Sequence, residues 1–349
     1  MKTKIYLLLV LAVLAAASVG NAQNLIAVQH GGTNTFYSTL DSAIAMANSG
    51  DNIYLPGGSF TITNPIDKEV HIYGTGHNPD STLATHQTTI QGNIVLITGA
   101  SNSSFTGLMN SNFWCGTNAS NEDVDNIKIT RCNGSIYLSG YSTNWLVTEC
   151  VLGNIQGNSY ASVYAQSNSF FNNFINSEAS NLGPNNIFRN NIFLSDYGVL
   201  DGDTSCIFEN NIFYGGFVVT YYQHPPNLYY CTFNNNLFSQ SYWNSNINGN
   251  CTGCFIYNNT DGQAQSSFFV GGTPYTNSFY YGFDYHLQSS SPGHNGGIDG
   301  TDVGVYGGAF PWKTGSVPAN PHIIQRGIGG ATNNNGDLPV NIKVGAQDH

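Results

Sequence analysis

A degenerate repeat runs through the middle of this chain. Between about residues 105 and 260, a short apolar stretch recurs with an Asn or a Cys at its centre. The spacings between these centres are 22, 18, 18, 23, 20, 25 and 23 residues, and the centres are Asn110, Cys132, Cys150, Asn168, Asn191, Asn211, Asn236 and Asn259. Such a period, with one strand-like stretch per repeat, is typical of a solenoid whose repeats pack against their neighbours.

The repeats indicate strands and not helices. They are short and β-rich, several Gly or Asn turns fall in each repeat, and no apolar period of 3.6 residues runs through them. This pattern predicts an all-β parallel β-helix with Ile, Phe and Leu stacked on their own kind inside. The central Asn has two open roles. Its amide can bond to the Asn above and below, and Asn also tolerates the left-handed conformation of corners.

The N-terminal part of the repeat region has a different pattern. Residues 38–41 fit a capping box, and Leu40, Ala43, Ile44 and Ala47 share one face of a helix. We expect this short helix, with the strands that follow it, to cover the open first coil, because an uncovered coil exposes unpaired backbone groups.

The C-terminal part is richer in aromatic residues and turns. Residues 268–312 contain many Tyr, Phe and Gly residues, and we expect them to form the last coils. We expect residues 313–349 to form a tail or cap with one terminal strand or hairpin. The β-helix, including its N-terminal cap, should therefore cover residues 23–312.

Two pairs of motifs carry a family resemblance. Residues 37–45 and 49–58 run as a helix, a Gly-Asp step, an apolar strand and a Pro-Gly turn. This order resembles the opening of pectate-lyase-like right-handed parallel β-helix proteins, and residues 283–293 and 302–308 look like the final coil of secreted bacterial members. The resemblance covers roughly residues 25–312 and implies a right-handed parallel β-helix. The superfamily includes polysaccharide lyases, glycoside hydrolases and non-catalytic adhesins, so a single activity is carried over by analogy only.

The first 22 residues are typical of a secretory signal. Lys2 and Lys4 precede an apolar run from Ile5 to Ala17, which is shorter than a membrane span needs, and Gly20 to Ala22 supply small residues for cleavage. We therefore expect an exported, extracellular protein without a membrane span. Without the signal, 7 basic residues face 20 acidic ones, a balance of −13. A nucleic-acid partner does not fit this charge, because phosphate binding needs clustered Lys and Arg.

The seven cysteines allow two interpretations. An exported chain favours disulfides, although an odd number leaves at least one thiol free. The repeat favours stacked buried thiols, because Cys206, Cys231 and Cys254 each lie five residues before a central Asn. Cys251 with Cys254 is the favoured disulfide.

The repeat also places opposite charges in neighbouring coils. Arg131 and Glu149 each come one residue before a central Cys, and Arg189 and Glu209 each come two residues before a central Asn. We expect two structural pairs, each stabilising by roughly 0.2–1 kcal/mol. The alternative is that Arg189 is a catalytic base.

Loop residues provide the candidate catalytic set. Asp201 and Asp203 could form an acid/base pair for glycoside hydrolysis, and His224 could accept a proton. The alternative is that the two carboxylates are solvated loop groups. The sequence alone does not give the separation of the carboxylates.

Other loop residues are candidates for binding. Tyr221, Tyr222 and Trp243 offer aromatic rings to the apolar faces of sugars, and long loops on one side of a solenoid commonly build its binding surface. The alternative is a loop packed down on the coils.

One acidic loop is a candidate metal site. Glu122, Asp123 and Asp125 could provide oxygen ligands for calcium, the one cofactor that the sequence suggests. Solvated carboxylates are the alternative.

Two functional hypotheses follow. The first is a secreted β-helix that associates with polysaccharide, with or without lyase-like or hydrolase-like activity. The second is a non-catalytic surface, adhesion or structural β-helix. The oligomeric state is not predicted.

Overall fold

The predicted all-β parallel β-helix is confirmed. The structure is a computed structural model that describes residues 25–116, 122–158, 165–196, 199–215, 228–239, 247, 249–274, 278–333 and 335–346. Parallel strands stack into a β-solenoid of about eight turns. The predicted signal segment lies outside the described residues.

The strands are short, as expected for coils with several corners. The described elements are β1 (Ile26–His30), β2 (Thr33–Tyr37), α1 (Leu40–Met46), β3 (Asp51–Tyr54), β4 (Gly58–Thr61), β5 (Val70–Tyr73), β6 (Thr88–Gln91), β7 (Asn93–Leu96), β8 (Ser104–Thr106), β9 (Asn112–Cys115), β10 (Lys128–Thr130), β11 (Asn133–Leu138), β12 (Leu146–Thr148), β13 (Val151–Gly157), β14 (Ser169–Phe171), β15 (Phe174–Ile175), β16 (Ala179–Ser180), β17 (Ile187–Arg189), β18 (Ile192–Phe193), β19 (Leu200–Asp201), β20 (Asp203–Thr204), β21 (Ile207–Glu209), β22 (Ile212–Phe213), β23 (Leu228–Tyr229), β24 (Thr232–Asn234), β25 (Leu237–Phe238), β26 (Cys251–Thr252), β27 (Phe255–Tyr257), a 3₁₀ turn (Gln265–Ser267), β28 (His322–Ile328) and β29 (Val340–Gly345).

Two long sheets form most of the solenoid wall. The first face consists of the parallel strands β3, β5, β8, β10, β12, β14, β17, β21, β24 and β27. Two antiparallel strands, β1 and β2, extend it at the N-terminal end. The second face consists of β7, β9, β11, β13, β15, β18, β22 and β25. The shorter pairings β4–β6, β16–β19 and β20–β23–β26 lie at the remaining side.

Aromatic ladders fill the core between the two faces. Four inward rings of the first face stack at centroid distances of 4.7, 5.0 and 4.9 Å, and they are Phe170, Phe188, Phe208 and Phe233. On the second face, Phe193, Phe213 and Phe238 stack at 4.6 and 4.7 Å. Identical residues meet because parallel in-register pairing repeats the same position in each coil.

The two roles open to the central Asn are divided between neighbouring residues. The first residue of each Asn-Asn pair turns the corner with φ between 55° and 57°, as in Asn172, Asn190, Asn210, Asn235 and Asn258. The second residue forms the ladder. Asn191 Nδ2, for example, donates to Asn211 Oδ1 at 3.0 Å, and Asn211 Nδ2 donates to Asn236 Oδ1 at 3.0 Å. In each pair, the first Asn adopts the left-handed conformation of the corner, and the second Asn forms hydrogen bonds with buried backbone groups.

The predicted register is wrong at two of the repeat centres. Leu108, and not Asn110, lies in line with Cys132, since Thr106 pairs with Thr130. Asn173, and not Asn168, follows Cys150 in the ladder, because its Oδ1 accepts the Cys150 N–H at 2.9 Å. Asn168 belongs to a second ladder at the other end of the first-face strands.

The cysteine predictions are confirmed, except that Cys254 of the predicted thiol stack is in the disulfide and is not a free thiol. Cys251 and Cys254 form a disulfide, and the other five thiols are free and buried. Cys206, Cys231 and Cys254 come directly before strands that pair in register, so they stack along the solenoid.

The N-terminal helix α1 forms where the sequence predicts it. Thr39 is its N-cap and accepts the Ser42 N–H at 3.2 Å. The helix buries Leu40, Ala43 and Ile44, and it packs against β1, β2 and β4.

The segment after β27 differs from the expectation. Within the described residues, positions 268–312 add no strand to the stacked sheets. Residues 293–318, which we call the returning segment, run back along the outside of the corners. Gly296 O accepts a hydrogen bond from Asn235 near the last coil, and Val317 O accepts one from Arg131 near the first coils. The strands β28 and β29 then form an antiparallel hairpin of mostly exposed residues.

Candidate functional site

A groove lies on the outer surface of the first face, over β5, β8, β10 and β12. Its volume is about 740 Å³. Strand residues alternate between the core and the outside, so the same strands that bury Ile72, Phe105, Ile129 and Val147 present the groove floor. The floor side chains are His71, Tyr73, Ser104, Thr106, Lys128, Thr130, Leu146 and Thr148.

Phe310 of the returning segment and the two residues that follow this segment build one side of the groove. Phe310, Ala319 and Asn320 line the groove together with the strand residues. Tyr73 and Asn320 also line a second cavity of about 280 Å³ towards β3, so the two cavities adjoin. The site thus needs residues that are far apart in the chain.

A buried ion pair supports the floor. Arg131 Nε lies 3.0 Å from Glu149 Oε2, and the two side chains are 2% and 5% exposed. Arg131 Nη1 also donates to the backbone carbonyl of Val317 at 2.8 Å. The predicted structural pair is confirmed, and it ties two coils to the returning segment.

Lys128 supplies the positive charge in the groove. It lies at an exposed position of β10 and forms no ion pair with a residue of the described ranges. Glu149 is the acidic residue of the lining, and Arg131 neutralises it. The groove is therefore locally positive in an acidic chain. Nearby, His71 Nδ1 is 2.9 Å from Ser104 Oγ, and His71 Nε2 is 3.5 Å from Glu69 Oε1.

Aromatic rings lie at both ends of the groove. Tyr54 and Tyr73 stack with centroids 5.3 Å apart at one end. At the other end, Phe310 stacks on Phe171 with centroids 6.0 Å apart and an interplanar angle of 16°. The Arg189 guanidinium lies 5.9 Å from the Phe171 centroid, and its Nη2 lies 2.5 Å from Glu209 Oε2. This contact confirms the second predicted ion pair.

The predicted carboxylate pair is divided between two environments. Asp203 is fully buried, and its Oδ1 accepts the Leu182 N–H at 3.0 Å. Its Oδ2 has no hydrogen-bond partner among the described residues. Burial raises the pKa of Asp203 well above its usual range and also raises the pKa of half-buried Asp201. A buried Asp203 cannot reach a sugar outside, so the pair has no shared access to substrate.

The acidic loop residues bond to neighbouring coils. Glu122 Oε2 accepts both the backbone N–H and the hydroxyl of Thr98 at 2.7 Å, and these bonds lower its pKa. Asp125 Oδ1 accepts the backbone N–H and hydroxyl of Thr143. Asp123 is exposed at a bridge to Tyr141. Within the described ranges, no three His, Cys, Asp or Glu side chains are arranged to hold a metal ion.

Four candidate residues lie outside the described residues: Tyr221, Tyr222, His224 and Trp243. The groove is not among the sites that the sequence predicts. One signal was present, since Lys128 is the only Lys between residues 69 and 312 and the repeat gives it no acidic partner. Nothing local to Phe310 or Asn320 indicates that they come back to the first coils.

None of the helices in the described ranges is long and apolar enough to cross a membrane. Comparisons of the chain with protein-family models, with curated proteins and with solved structures found no match, so the assignment of the fold rests on its strand pairing.

Proposed function

We propose that this chain binds an acidic polysaccharide in the groove over β5 to β12. The observation that carries the proposal is the Lys128 ammonium, which has no ion-pair partner among the described residues and lies on the floor of a polar groove in a chain of net negative charge. Polar glycan hydroxyls suit the Ser, Thr and Asn side chains that line it. A carboxylate or sulfate on the glycan would pair with Lys128.

The aromatic residues support a carbohydrate ligand. Tyr73 and Phe310 provide apolar surface at the two ends of the polar floor. Sites for small ligands commonly combine such apolar walls with a few polar groups that fix orientation. The groove has both parts, whereas the predicted pair Asp201 and Asp203 does not share an open surface.

A lyase reaction in the same groove is a second candidate. His71 and Lys128 both face the groove, where His71 could accept a proton from a bound sugar while the Lys128 ammonium pairs with the carboxylate of that sugar. Glu149 is held by Arg131 and is a poor candidate for the base. The competing hypothesis, a non-catalytic adhesion or structural β-helix, predicts either binding without turnover or no glycan binding.

Export and superfamily membership belong to the same proposal. The signal-like residues 1–22 support export to the place where polysaccharides are found. The stacked parallel coils agree with the resemblance to pectate-lyase-like β-helix proteins, and carbohydrate binding is a common use of that fold.

Binding of defined polymers tests this function. The mature protein would be titrated with polygalacturonate, alginate and neutral xylan by calorimetry, and unsaturated products and reducing ends would be followed in parallel. We expect binding to an acidic polymer and at least about tenfold weaker binding in Lys128→Ala, or 1.4 kcal/mol. The control is Lys343→Ala, an exposed lysine on β29. Equal losses in the two variants, or no binding to any polymer, would contradict the proposal.

A further inference from the structure

We propose that the groove takes the end of a glycan chain and not an internal stretch of it. This inference rests on the proposed function and adds a mode of recognition to it. The reason is that the floor of the groove is interrupted at one end by an aromatic wall, which we define as Phe171 and Phe310.

The wall lies one coil beyond the floor. Thr148 of β12 lines the groove, and the residue paired with it in the next coil is Phe171 of β14. A small side chain is thus replaced by a ring at the same outward position. Phe310 then covers that ring in a stacked arrangement. The separation of 6.0 Å is within the range of direct ring contact, so no sugar fits between the two rings.

The next coils hold the wall in place. Phe171 pairs in register with Arg189, and Arg189 pairs with Glu209. The guanidinium of Arg189 packs near the Phe171 ring while Glu209 binds its Nη2. The residues just beyond the wall are therefore already paired with each other and are not arranged as a continuation of the floor.

The opposite end of the groove also carries a ring at this outward position, because Tyr73 pairs with Thr106, but among the described residues the space there continues into a cavity of about 280 Å³. In this second cavity, Tyr54 and Tyr73 lie beside Pro318 and His322. The floor spans four strands, and at the usual strand spacing three intervals cover roughly 14 Å. A short terminal segment of a glycan would fit with its last sugar near Thr148, Lys128 and the aromatic wall, while the rest of the chain leaves past Tyr54.

Binding capacity distinguishes the two modes. Polygalacturonate would be cut to a series of average lengths by partial acid hydrolysis, and the number of binding sites per gram would be measured at saturation. For chain-end recognition, this number doubles when the average length is halved. For internal recognition, it stays constant as long as each chain is longer than the groove. Alginate cut in the same way would replace polygalacturonate if it is the polymer that binds.

Removal of the wall is the second arm of the experiment. We expect a gram of long polymer to offer more binding sites to Phe310→Ala than to the native protein. We also expect this number to depend much less on the length of the polymer. Phe310→Leu, which keeps more of the packing, should give an intermediate result if Phe310→Ala does not fold. Phe255→Ala is the control, because Phe255 is an exposed ring on the last first-face strand.

The outcomes separate this inference from the proposed function. A capacity per gram that is independent of length in the native protein would overturn chain-end recognition and leave glycan binding intact. No binding to any polymer at any length would overturn both. Length dependence that persists in a folded Phe310 variant would show that the wall is not the cause and would also overturn the inference.

Discussion

The stacked coils and the returning segment are held by different kinds of contact. In the coils, one hydrogen bond repeats from Asn173 through Asn191, Asn211 and Asn236 to Asn259. The contacts of the returning segment come from the corner residues and repeat only in part. Asn172 Nδ2 donates to the carbonyls of Val305 and Gly307, and Asn190 Nδ2 donates in the same way to those of Asp302 and Gly304. At the next corner the direction changes, and Gly304 N donates to the carbonyl of Asn210. The periodic coils are thus bound along their length by a segment that follows their period only in part.

The corner residues connect the two regions. They turn the chain in the left-handed conformation, which points their side chains and carbonyls away from the core and towards the returning segment. Gly107 shows how close the approach is: its φ is 70°, and an added Cβ would lie 2.5 Å from Pro318 Cγ. The corners therefore have a packing role as well as a turning role.

The largest effect should come from the ladder. Asn191 donates to Phe170 O and Asn211 Oδ1, and its own Oδ1 accepts from Asn173. Asn191→Ala leaves several buried groups unpaired, each costing about 1–3 kcal/mol, so we expect a loss of about 5 kcal/mol in urea unfolding. Asn93→Ala, at an exposed strand position, is the control. A loss below about 1 kcal/mol in Asn191→Ala would show that the ladder is not what holds the coils.

The next effect tests the junction of the two regions. Arg131→Ala removes the partner of buried Glu149 and the bond to Val317, and breaking a buried pair costs about 3–5 kcal/mol. Arg189→Ala breaks a similar cross-coil pair, but Arg189 is 45% exposed. There we expect about 0–1 kcal/mol. The loss of stability in both variants would be measured by thermal unfolding. Equal losses would contradict the expectation that the buried pair contributes more than the exposed one.

A pH effect should follow from His77, whose ring packs against Trp312 of the returning segment. His77 is fully buried, with Nδ1 2.7 Å from the Tyr281 hydroxyl and its ring next to Trp312. Burial lowers the pKa of His77 to about 3, while an unfolded His titrates near 6.5. Between these values the unfolded state binds the extra proton, so stability falls as the pH falls.

The expected loss from His77 between pH 7 and pH 5 is about 2 kcal/mol. His77→Gln should reduce the pH dependence of the free energy of unfolding by about this amount. The measurement is urea unfolding of both proteins at the two pH values. An unchanged pH dependence would mean that His77 takes up its proton without leaving the core.

The smallest effect concerns Asp203 within the coils. Its pKa is raised by burial, so the folded state keeps a proton that the unfolded state releases above its ordinary pKa, and stability falls as the pH rises. Asp203→Asn retains an acceptor for Leu182 N and removes this cost. We expect a gain of about 1 kcal/mol at pH 7 and less at pH 4. If Asp203 were catalytic instead, the variant would be stable and lose any polymer-cleaving activity.

The stacked coils could be predicted from the sequence because matched positions in neighbouring coils have the same surroundings. The pairs Arg131 with Glu149 and Arg189 with Glu209 followed from matched positions alone, and both are present. The error at Asn168 has a physical cause. Asn ladders occur at both ends of the first-face strands, so Asn168 and Asn173 fit the same short pattern five residues apart.

The returning segment and the groove were not predictable in this way. The bond from Arg131 to Val317 joins residues 186 positions apart, and no local period marks either partner for the other. Residues 283–293 and 302–308 were interpreted as a final coil, and they contribute no strand to the stack. Lys128 could have been singled out from the charge pattern. The side of the groove that Phe310 and Asn320 form, however, depends on contacts that only the three-dimensional structure reveals.

The path of the returning segment has a consequence for the order of folding. A ribosome makes His77 and Asn78 long before their partners Tyr281 and Thr314, which lie 204 and 236 residues later. Coils can pair with their neighbours as they emerge, because those contacts are nearer in sequence. The first coils, however, gain their outer contacts only when nearly the whole chain exists. The groove, which needs Phe310 and Asn320, is therefore a late product of folding, and a chain interrupted during synthesis would carry coils without a finished site.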